Sequence, residues 1–256
     1  MKRDFTLDLY QEFLQAALNQ EYKLIAFEEY IQDQQQYEKV MILRHDVDAR
    51  PENSLKVAQI QHDLGVSGSY YFRILPQSFQ PEYITQIRDL GHEIGYHYED
   101  LTLAKGNRKD AIEAFQINLA SLRTYYPVKT ICMHGSPLSK FDNRLIWQDY
   151  NYRDYGIIGE PYFDLDFQKM LYITDTGRSW NNDKVSIRDR VNSDLNYTFK
   201  STLELISAFN KGGLPNQIMQ NIHPQRWHDN LLDWNYELVS QNVKNQAKRI
   251  LKKIRQ

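Results

Sequence analysis

Short runs typical of β-strands alternate with helix-like segments along almost the whole chain of 256 residues. The strand-like runs are rich in Val, Ile, Tyr and Phe, and several helical segments stop at a glycine, a common helix end. The predicted strands cover 39–45, 68–74, 92–98, 128–134, 169–175 and 217–223. Repeated strand-then-helix units join parallel strands, so they predict an α/β fold with either an open doubly wound sheet or a barrel.

Helical spacing of apolar residues predicts helices between the strands and at both ends of the chain. Residues 7–32 form one or two helices before the main fold, and a last helix starts near 231. The helices between the strands are predicted over 53–64, 81–90, 108–125, 142–150 and 199–210. With no repeat or linker-like stretch, we expect a single domain over 1–256: a helical extension (1–37), an α/β core (38–228) and a C-terminal helix (229–256).

Composition excludes several classes of protein. The net charge of −2 gives no general attraction to nucleic acid, and the single cysteine cannot form an intrachain disulfide. No apolar run approaches the ~18–20 residues of a membrane-spanning helix, and the first residues lack the apolar core of a signal peptide. We therefore expect a cytoplasmic protein with no nucleic-acid partner and no transmembrane segment.

Polar residues cluster where the predicted strands end. Five strands finish in the sequences HDVD, HYED, MHGSP, TDTGRSW and IHPQRW. In α/β barrels the carboxyl ends of the strands and the loops after them build the active site. We expect the five clusters to converge on one pocket.

The first cluster places two carboxylates on one face of a strand. Side chains alternate along a strand, so Asp46 and Asp48 share a face while His45 points the other way. Two residues of rise separate the carboxylates by roughly 6.6 Å along the strand. One carboxylate could then bind a metal while the other addresses a water beside it. Taken alone, such a pair is more often a set of helix caps or loop carboxylates than a metal site.

Three stretches together resemble a known family. VMILRHDVD, LGVSGSYYFRI and LGHEIGYHYED are similar to the first three strands of the polysaccharide deacetylases, the NodB-like carbohydrate esterases. IHPQRW is similar to the late L-x-H motif of that family, so the resemblance spans about residues 38–228. The chain also resembles the WbmS-like branch, which is associated with surface-polysaccharide gene clusters. The resemblance implies a distorted, incomplete (β/α) barrel.

The same resemblance implies roles for individual residues. Asp46 matches the general base of the family, and Asp48 takes the role of the metal-binding aspartate, displaced by one residue. His97 matches the first metal-binding histidine. The second one falls at Leu101, which cannot bind a metal, so the chain departs from the family pattern there.

Two residues could supply the missing metal ligand. Glu99 lies two residues from His97, so both side chains face the same way if the strand stays extended. His134 ends the next strand, where the family usually has an R-x-P-Y stretch and this chain has HGSP. We favour His134 slightly, because an imidazole reproduces the missing ligand.

The last two strand ends supply the remaining candidates. His223 matches the late histidine of the family, which acts as the general acid, and an imidazole is the side chain best suited to proton transfer near neutral pH. Asp175 and its neighbours match the region that orients this acid and walls the pocket. We expect substrate contacts from the side chains that follow these strands: Arg178, Trp180, Arg226 and Trp227.

These residues predict a metal-dependent hydrolase that removes an N-acetyl group from a sugar or glycan precursor. The expected cofactor is a divalent metal, zinc first, with cobalt, nickel or manganese also suited to nitrogen and oxygen ligands. Two alternatives stay open: a catalytically weak barrel that binds glycan or scaffolds another enzyme, motivated by Leu101, and an amidohydrolase of a small non-sugar amide.

The C-terminal segment 244–256 carries six basic residues and no acidic one. Val243, Ala247, Ile250 and Ile254 fall on one helical face. We expect this apolar face to dock on the barrel and the basic face to be solvated. The alternative is weak contact with a membrane surface or with phosphate-bearing sugar carriers.

Overall fold

A computed structural model describes residues 3–254 apart from 138, 181–190 and 196, and it leaves the side chains at 35 and 248–254 undescribed. Within the described residues, seven strands form one sheet. Their bounds are β1 Lys23–Ile25, β2 Val40–Val47, β3 Ser69–Phe72, β4 Glu93–Tyr98, β5 Ile131–Met133, β6 Leu171–Thr174 and β7 Gln217–Ile222.

The sheet is parallel at every strand pair. The strand order is β5-β4-β3-β2-β7-β6, with β1 also beside β2. β7 pairs with one edge of β2 along residues 40–45. The other edge of β2 is shared, because β1 pairs with residues 40–42 and β3 with residues 44–47. β5 and β6 are the two edge strands of this order and do not pair with each other in the described residues, so the barrel is not closed. The expected α/β architecture of an incomplete parallel barrel is thereby confirmed.

Helices surround the sheet and connect its strands. The α-helices of the described chain are α1 Leu7–Asn19, α2 Phe27–Gln32, α3 Pro51–Asp63, α4 Pro81–Asp89, α5 Asp100–Leu103, α6 Arg108–Arg123, α7 Pro161–Asp164, α8 Thr202–Lys211 and α9 Leu231–Ile254. None of them is both long enough and apolar enough to cross a bilayer.

Local sequence sets where several helices begin. The side chains of Thr6, Asn107 and Ser201 accept hydrogen bonds from backbone N–H groups in the first turns of α1, α6 and α8. These N–H groups have no partner inside the helix, so a capping oxygen stabilises the helix start by typically ~1 kcal/mol. Pro51 and Pro81 open α3 and α4, where a missing N–H costs nothing.

Each face of the sheet has its own apolar core. Side chains alternate along β2, so Met41 and Leu43 join the larger core under the helices, whereas Val40 and Ile42 join a smaller core on the other face. All eight residues of β2 are buried. The smaller core ends where Arg44 and Asp46 follow Ile42 on the same face, and polar residues replace apolar ones toward the carboxyl ends of the strands.

The structure differs from the sequence prediction in four short segments. The predicted helical extension 1–37 also contains β1, whose three residues are too few to show a strand period. Residues 143–148 form a 3₁₀-helix instead of the α-helix predicted over 142–150. Two further single-turn helices, α5 and α7, are too short to carry an apolar repeat.

The C-terminal helix docks differently from the expectation. Val243, predicted on the docked face, is exposed, and so is Ala247; the side chains of Ile250 and Ile254 lie outside the described residues. Among the α9 side chains that the structure describes, the buried ones are instead the polar Glu237 and Gln241. The predicted docking of the apolar face is therefore wrong for the described part of this helix.

Candidate active site

A cavity of about 610 Å³ opens at the carboxyl ends of the strands. Polar residues from the ends of β2, β4, β5 and β7 line it, and one face of α9 closes one side. Among the sequence candidates that line it are Asp46, Asp48, His97, His134 and His223. The expectation that polar strand ends converge thus holds for these five, because parallel strands bring their carboxyl ends to one edge of the sheet.

Asp46 is held by a buried arginine on its own strand. Arg44 donates from Nε to Oδ1 at 2.9 Å and from Nη2 to Oδ2 at 2.7 Å, and Asn221 Nδ2 donates to Oδ2 at 3.1 Å. Burial raises the pKa of Asp46, but the Arg44 guanidinium, together with His97 and His223, outweighs that effect and lowers the pKa below its usual range. Asp46 is therefore ionised at neutral pH and fixed in one orientation.

Asp48 faces two imidazoles. Its Oδ1 lies 3.7 Å from Nε2 of His97 and 3.5 Å from Nε2 of His134. This oxygen is buried and has no hydrogen-bond partner among the described residues. Burial raises the pKa of Asp48, but the neighbouring histidines outweigh it and lower the pKa below its usual range. A buried carboxylate oxygen without a hydrogen-bond partner destabilises the fold, and a cation bound between Asp48 and the two histidines would remove that cost.

The other ring nitrogen of each histidine is already occupied. His97 Nδ1 lies 2.9 Å from the carbonyl oxygen of Cys132, and His134 Nδ1 lies 2.9 Å from Oε2 of Glu99. A carbonyl or carboxylate oxygen can only accept, so Nδ1 carries the proton and Nε2 of a neutral ring presents a lone pair. Burial lowers the pKa of His97 to about 4, so this ring is neutral at pH 7.

Glu99 contacts the cluster through Nδ1 of His134 and is also paired with Arg73. Arg73 donates to both of its carboxylate oxygens, at 2.7 and 2.9 Å. Burial raises the pKa of Glu99, but His134 and Arg73 outweigh it and lower the pKa to about 2. Glu99 does not belong to the described groups of side chains that could share one ion, whereas Asp48, His97 and His134 form such a group. Its position therefore matches a carboxylate that orients His134. Leu101, at the position of the family's second metal-binding histidine, is buried on α5.

A second group of possible ligands combines Asp46, His97 and Cys132. This group fits a metal less well, because Arg44 and Asn221 already donate to both oxygens of Asp46. A cation there would compete with the bidentate guanidinium. The orphaned oxygen of Asp48 distinguishes the first group from the second.

His223 belongs to a buried network around Asp175. Its Nδ1 lies 2.7 Å from Oδ1 of Asp175, which also accepts from Arg226 Nη1 at 2.6 Å, while Trp227 Nε1 donates to Oδ2 at 2.9 Å. Burial raises the pKa of Asp175, but Arg226 and His223 outweigh it and lower the pKa. Asp175 is therefore an ionised carboxylate that fixes the His223 ring.

This arrangement turns Nε2 of His223 toward the cavity. That atom lies 4.0 Å from Oδ2 of Asp46, and Nε2 of His97 lies 3.7 Å from the same oxygen. The Asp46 carboxylate and the His223 imidazole thus face each other beside the Asp48 cluster. Such a pair can take a proton from a water and return one to a leaving group.

Three predicted substrate contacts, Arg178, Trp180 and Trp227, lie outside the cavity wall, contrary to the expectation. Trp180 and Trp227 are buried in the larger core, where both pack against Phe5. Arg178 donates to the carbonyl oxygen of Trp234 at 3.1 Å and stacks on that ring. Aromatic residues beside a site motif need not face the site, because only the fold determines which side of the loop is covered.

The fourth predicted contact, Arg226, does line the cavity. It is buried, and its Nη1 donates to both the backbone and the side chain of Asp175. Its observed role is to support Asp175, and any contact with substrate stays a prediction.

Sequence reasoning missed Arg44. A signal was present, since an arginine inside the otherwise apolar run VMIL-R-H stands two residues before Asp46 and hence on the same strand face. Tyr162, also in the cavity wall, was missed as well; its hydroxyl oxygen accepts from Arg44 Nη1 at 3.3 Å. No local pattern connects residues this far apart in the sequence.

Comparisons with known proteins give one distant likeness. No family model matches the sequence, and no curated protein matches it. Among solved structures, a CE4 esterase from Streptococcus mutans is similar with 15% sequence identity and a TM-score of 0.45, over 91% of this chain and 89% of that chain. A likeness at this level does not assign a family, so the functional case rests on the site.

Proposed function

We propose that this protein is a metal-dependent hydrolase that removes an N-acetyl group from a sugar or glycan precursor. The observation that carries the proposal is the orphaned Oδ1 of Asp48, buried between the Nε2 atoms of His97 and His134. Two imidazoles and one carboxylate are a donor set suited to a catalytic divalent metal such as zinc.

Asp48, His97 and His134 would hold the metal. The Cys132 carbonyl and Glu99 fix the two rings through their Nδ1 atoms, as the partners of metal-binding histidines usually do. When bound, such an ion polarises a carbonyl group and acidifies a water. Cobalt, nickel and manganese suit the same ligands.

Asp46 is proposed as the general base. Its ionised carboxylate accepts a proton from the attacking water, and the bidentate contact with Arg44 keeps it aimed and charged. The same contact lowers the pKa of Asp46 and so makes it a weak base. A weak base is sufficient when the attacking water is itself more acidic than bulk water. In this proposal Asp46 is the base and Asp48 is the metal ligand, the two roles that the sequence pattern suggested.

His223 is proposed as the general acid. Hydrolysis of an amide needs a proton for the departing amine, and Nε2 of His223 faces the cavity. Asp175 holds Nδ1 and stabilises the protonated ring before it gives up that proton. Asp175 is thus a positioning residue, not one that touches the substrate.

The substrate class rests on sequence resemblance together with the acid–base arrangement. The motifs HDVD, GHEIGYH and IHPQRW resemble those of polysaccharide deacetylases, and they contribute Asp46, Asp48, His97 and His223 to the cavity wall. We infer an N-acetylated sugar as substrate, at the precursor stage of surface-polysaccharide assembly. A glycan-binding barrel without activity would not require an orphaned carboxylate between two oriented histidines.

The test measures bound metal and acetate release on the same preparations. We expect the purified protein to hold about one divalent ion per chain and to release acetate from N-acetylated sugars, with both properties lost in His134→Ala. His62→Ala serves as the matched control, because His62 is exposed on α3 away from the cavity. A folded wild-type protein that takes up no divalent metal would refute the proposal.

A further inference from the structure

Helix α9 presents a continuous apolar face to solvent. Leu232, Tyr236, Val239 and Val243 are 79%, 63%, 63% and 66% exposed, and we call these four side chains the apolar stripe. Their spacing of four, three and four residues puts them on one side of the helix. Large apolar side chains that are exposed in a row mark an interaction surface, whereas isolated ones need no explanation.

The opposite side of α9 fastens it to the protein. Trp234 Nε1 donates to the carbonyl oxygen of Asp4 at 2.6 Å, and Asn245 Nδ2 donates to the carbonyl oxygen of Gly177 at 2.8 Å. Trp234 and Asn245 are 11 residues apart, so they lie on one face, about half a turn from the apolar stripe. The attachment therefore directs the stripe outward.

The apolar pattern continues along the sequence beyond the stripe. Ala247, Ile250 and Ile254 follow Val243 at spacings of four, three and four residues. The average period is close to 3.7 residues, which keeps the pattern on one side of a straight helix; a left-handed coiled coil needs 3.5. This period suits a helix that lies along a flat surface, and it departs from the heptad repeat of a left-handed coiled coil.

Positive charge is concentrated in the C-terminal half of α9 and the residues that follow it. The whole protein has a net charge of −2, yet residues 244–256 contain six basic residues and no acidic one. An apolar face joined to a basic segment is typical of helices that lie in the plane of an anionic membrane. Each basic residue near such a surface adds about 1 kcal/mol of attraction.

The apolar stripe adjoins the candidate active site. Tyr236 belongs to the stripe and also lines the cavity, as do Lys244 and Ala247 on the next turns of α9. A surface that covers the stripe therefore meets the rim of the cavity.

We propose that α9 lies on an anionic membrane surface, with the apolar stripe inserted at the lipid headgroup level and the cavity mouth beside the bilayer. A second copy of the chain fits less well, because the pattern departs from a heptad and parallel pairing would bring two basic segments together. If the proposed function also holds, the substrate would be a sugar carried by a lipid; that consequence rests on the proposed function, whereas membrane binding does not.

The test is cosedimentation of the full chain with lipid vesicles. We expect binding to phosphatidylcholine vesicles that contain phosphatidylglycerol, and binding at least about tenfold weaker for Val239→Ser/Val243→Ser. Ile117→Ser is the matched control, since Ile117 is a 70% exposed residue of α6 away from the cavity. The control variant should bind like the wild type.

A second arm separates charge from apolar insertion. Lys252→Gln/Lys253→Gln should weaken binding to the anionic vesicles about 30-fold, and added salt should act in the same direction. If the wild-type protein does not cosediment with the anionic vesicles, the proposal is wrong. So does a dimer, seen by analytical ultracentrifugation without lipid, that Val239→Ser/Val243→Ser dissociates, because the apolar stripe would then belong to a second copy. Acetate release is not measured, so a wrong catalytic assignment leaves this result unaffected.

Discussion

Replacing Arg44 by glutamine should destabilise the protein strongly, because it leaves a carboxylate buried without its charge partner. The Arg44 and Asp46 side chains are only 1% and 4% exposed and share two hydrogen bonds of 2.9 and 2.7 Å. Removing one partner of a buried ion pair typically lowers the free energy of unfolding by about 3–5 kcal/mol. We expect a loss in that range at neutral pH.

The loss should depend on pH in a defined direction. In the wild type the pKa of Asp46 is lowered, so the stability from this pair is present above its ordinary pKa of 3.8 and is lost as pH falls below it. Without Arg44 the pKa of Asp46 rises, because burial then dominates. Asp46 can take up a proton in the variant, so the destabilisation shrinks as the solution is acidified.

Urea unfolding of four proteins measures the interaction directly: wild type, Arg44→Gln, Asp46→Asn and the double variant. The double variant should be more stable than the sum of the single losses predicts, by roughly 2–3 kcal/mol, since no buried charge is left unpaired. Arg108→Gln is the control: Arg108 makes a 2.7 Å contact with Asp149, but the two side chains are 34% and 51% exposed. That substitution should change the free energy of unfolding by less than about 1 kcal/mol.

Additive losses in this cycle would refute the reasoning, because they would mean that Arg44 and Asp46 do not interact energetically. Equal losses for Arg44→Gln and Arg108→Gln would refute it as well, since burial would then make no difference to the strength of the pair.

Three further predictions address the site and the core. Asp46→Asn should abolish acetate release while bound metal survives; loss of the metal as well would make Asp46 a ligand. Glu99→Ala should weaken metal affinity about 10- to 100-fold by freeing the ring of His134, and His134→Ala should weaken it more; an unchanged affinity in His134→Ala, with metal lost in Glu99→Ala, would give Glu99 the ligand role. Burial raises the pKa of Glu93 from 4.5 to about 7, so its contribution to stability is complete below pH 4.5 and is lost as pH rises through 7. Glu93→Gln should therefore raise the free energy of unfolding at pH 8 by up to about 3 kcal/mol and leave it nearly unchanged at pH 4; a gain of the same size at both pH values would contradict the assignment.

The sequence alone was sufficient for the parallel α/β architecture. Alternating strand and helix patterns are local, and parallel strands joined by helices place every strand end at one edge of the sheet. That placement is why Asp46, His97 and His223, far apart in the chain, could be expected in one pocket. β1 was missed because three residues do not show a period, and the 3₁₀-helix over 143–148 because its pattern resembles that of a short α-helix.

The partners of the site residues were decided by tertiary structure. Sequence left His134 and Glu99 both open as the third ligand, since each could reach the metal from its strand end. The pairing of β4 with β5 sets His97 opposite Cys132, and His134 comes two residues later, within reach of Asp48. Glu99 instead pairs with Arg73 and with Nδ1 of His134.

Burial was the other property that local patterns could not supply. Trp180 and Trp227 stand beside site motifs in the sequence, yet the packing of α1 and the loops around them puts both rings in the core. The amphipathic pattern of α9 was visible in the sequence, but the pattern could not tell which face the protein would cover. Hydrogen bonds from Trp234 and Asn245 decided that, and they left the apolar face of α9 exposed beside the cavity.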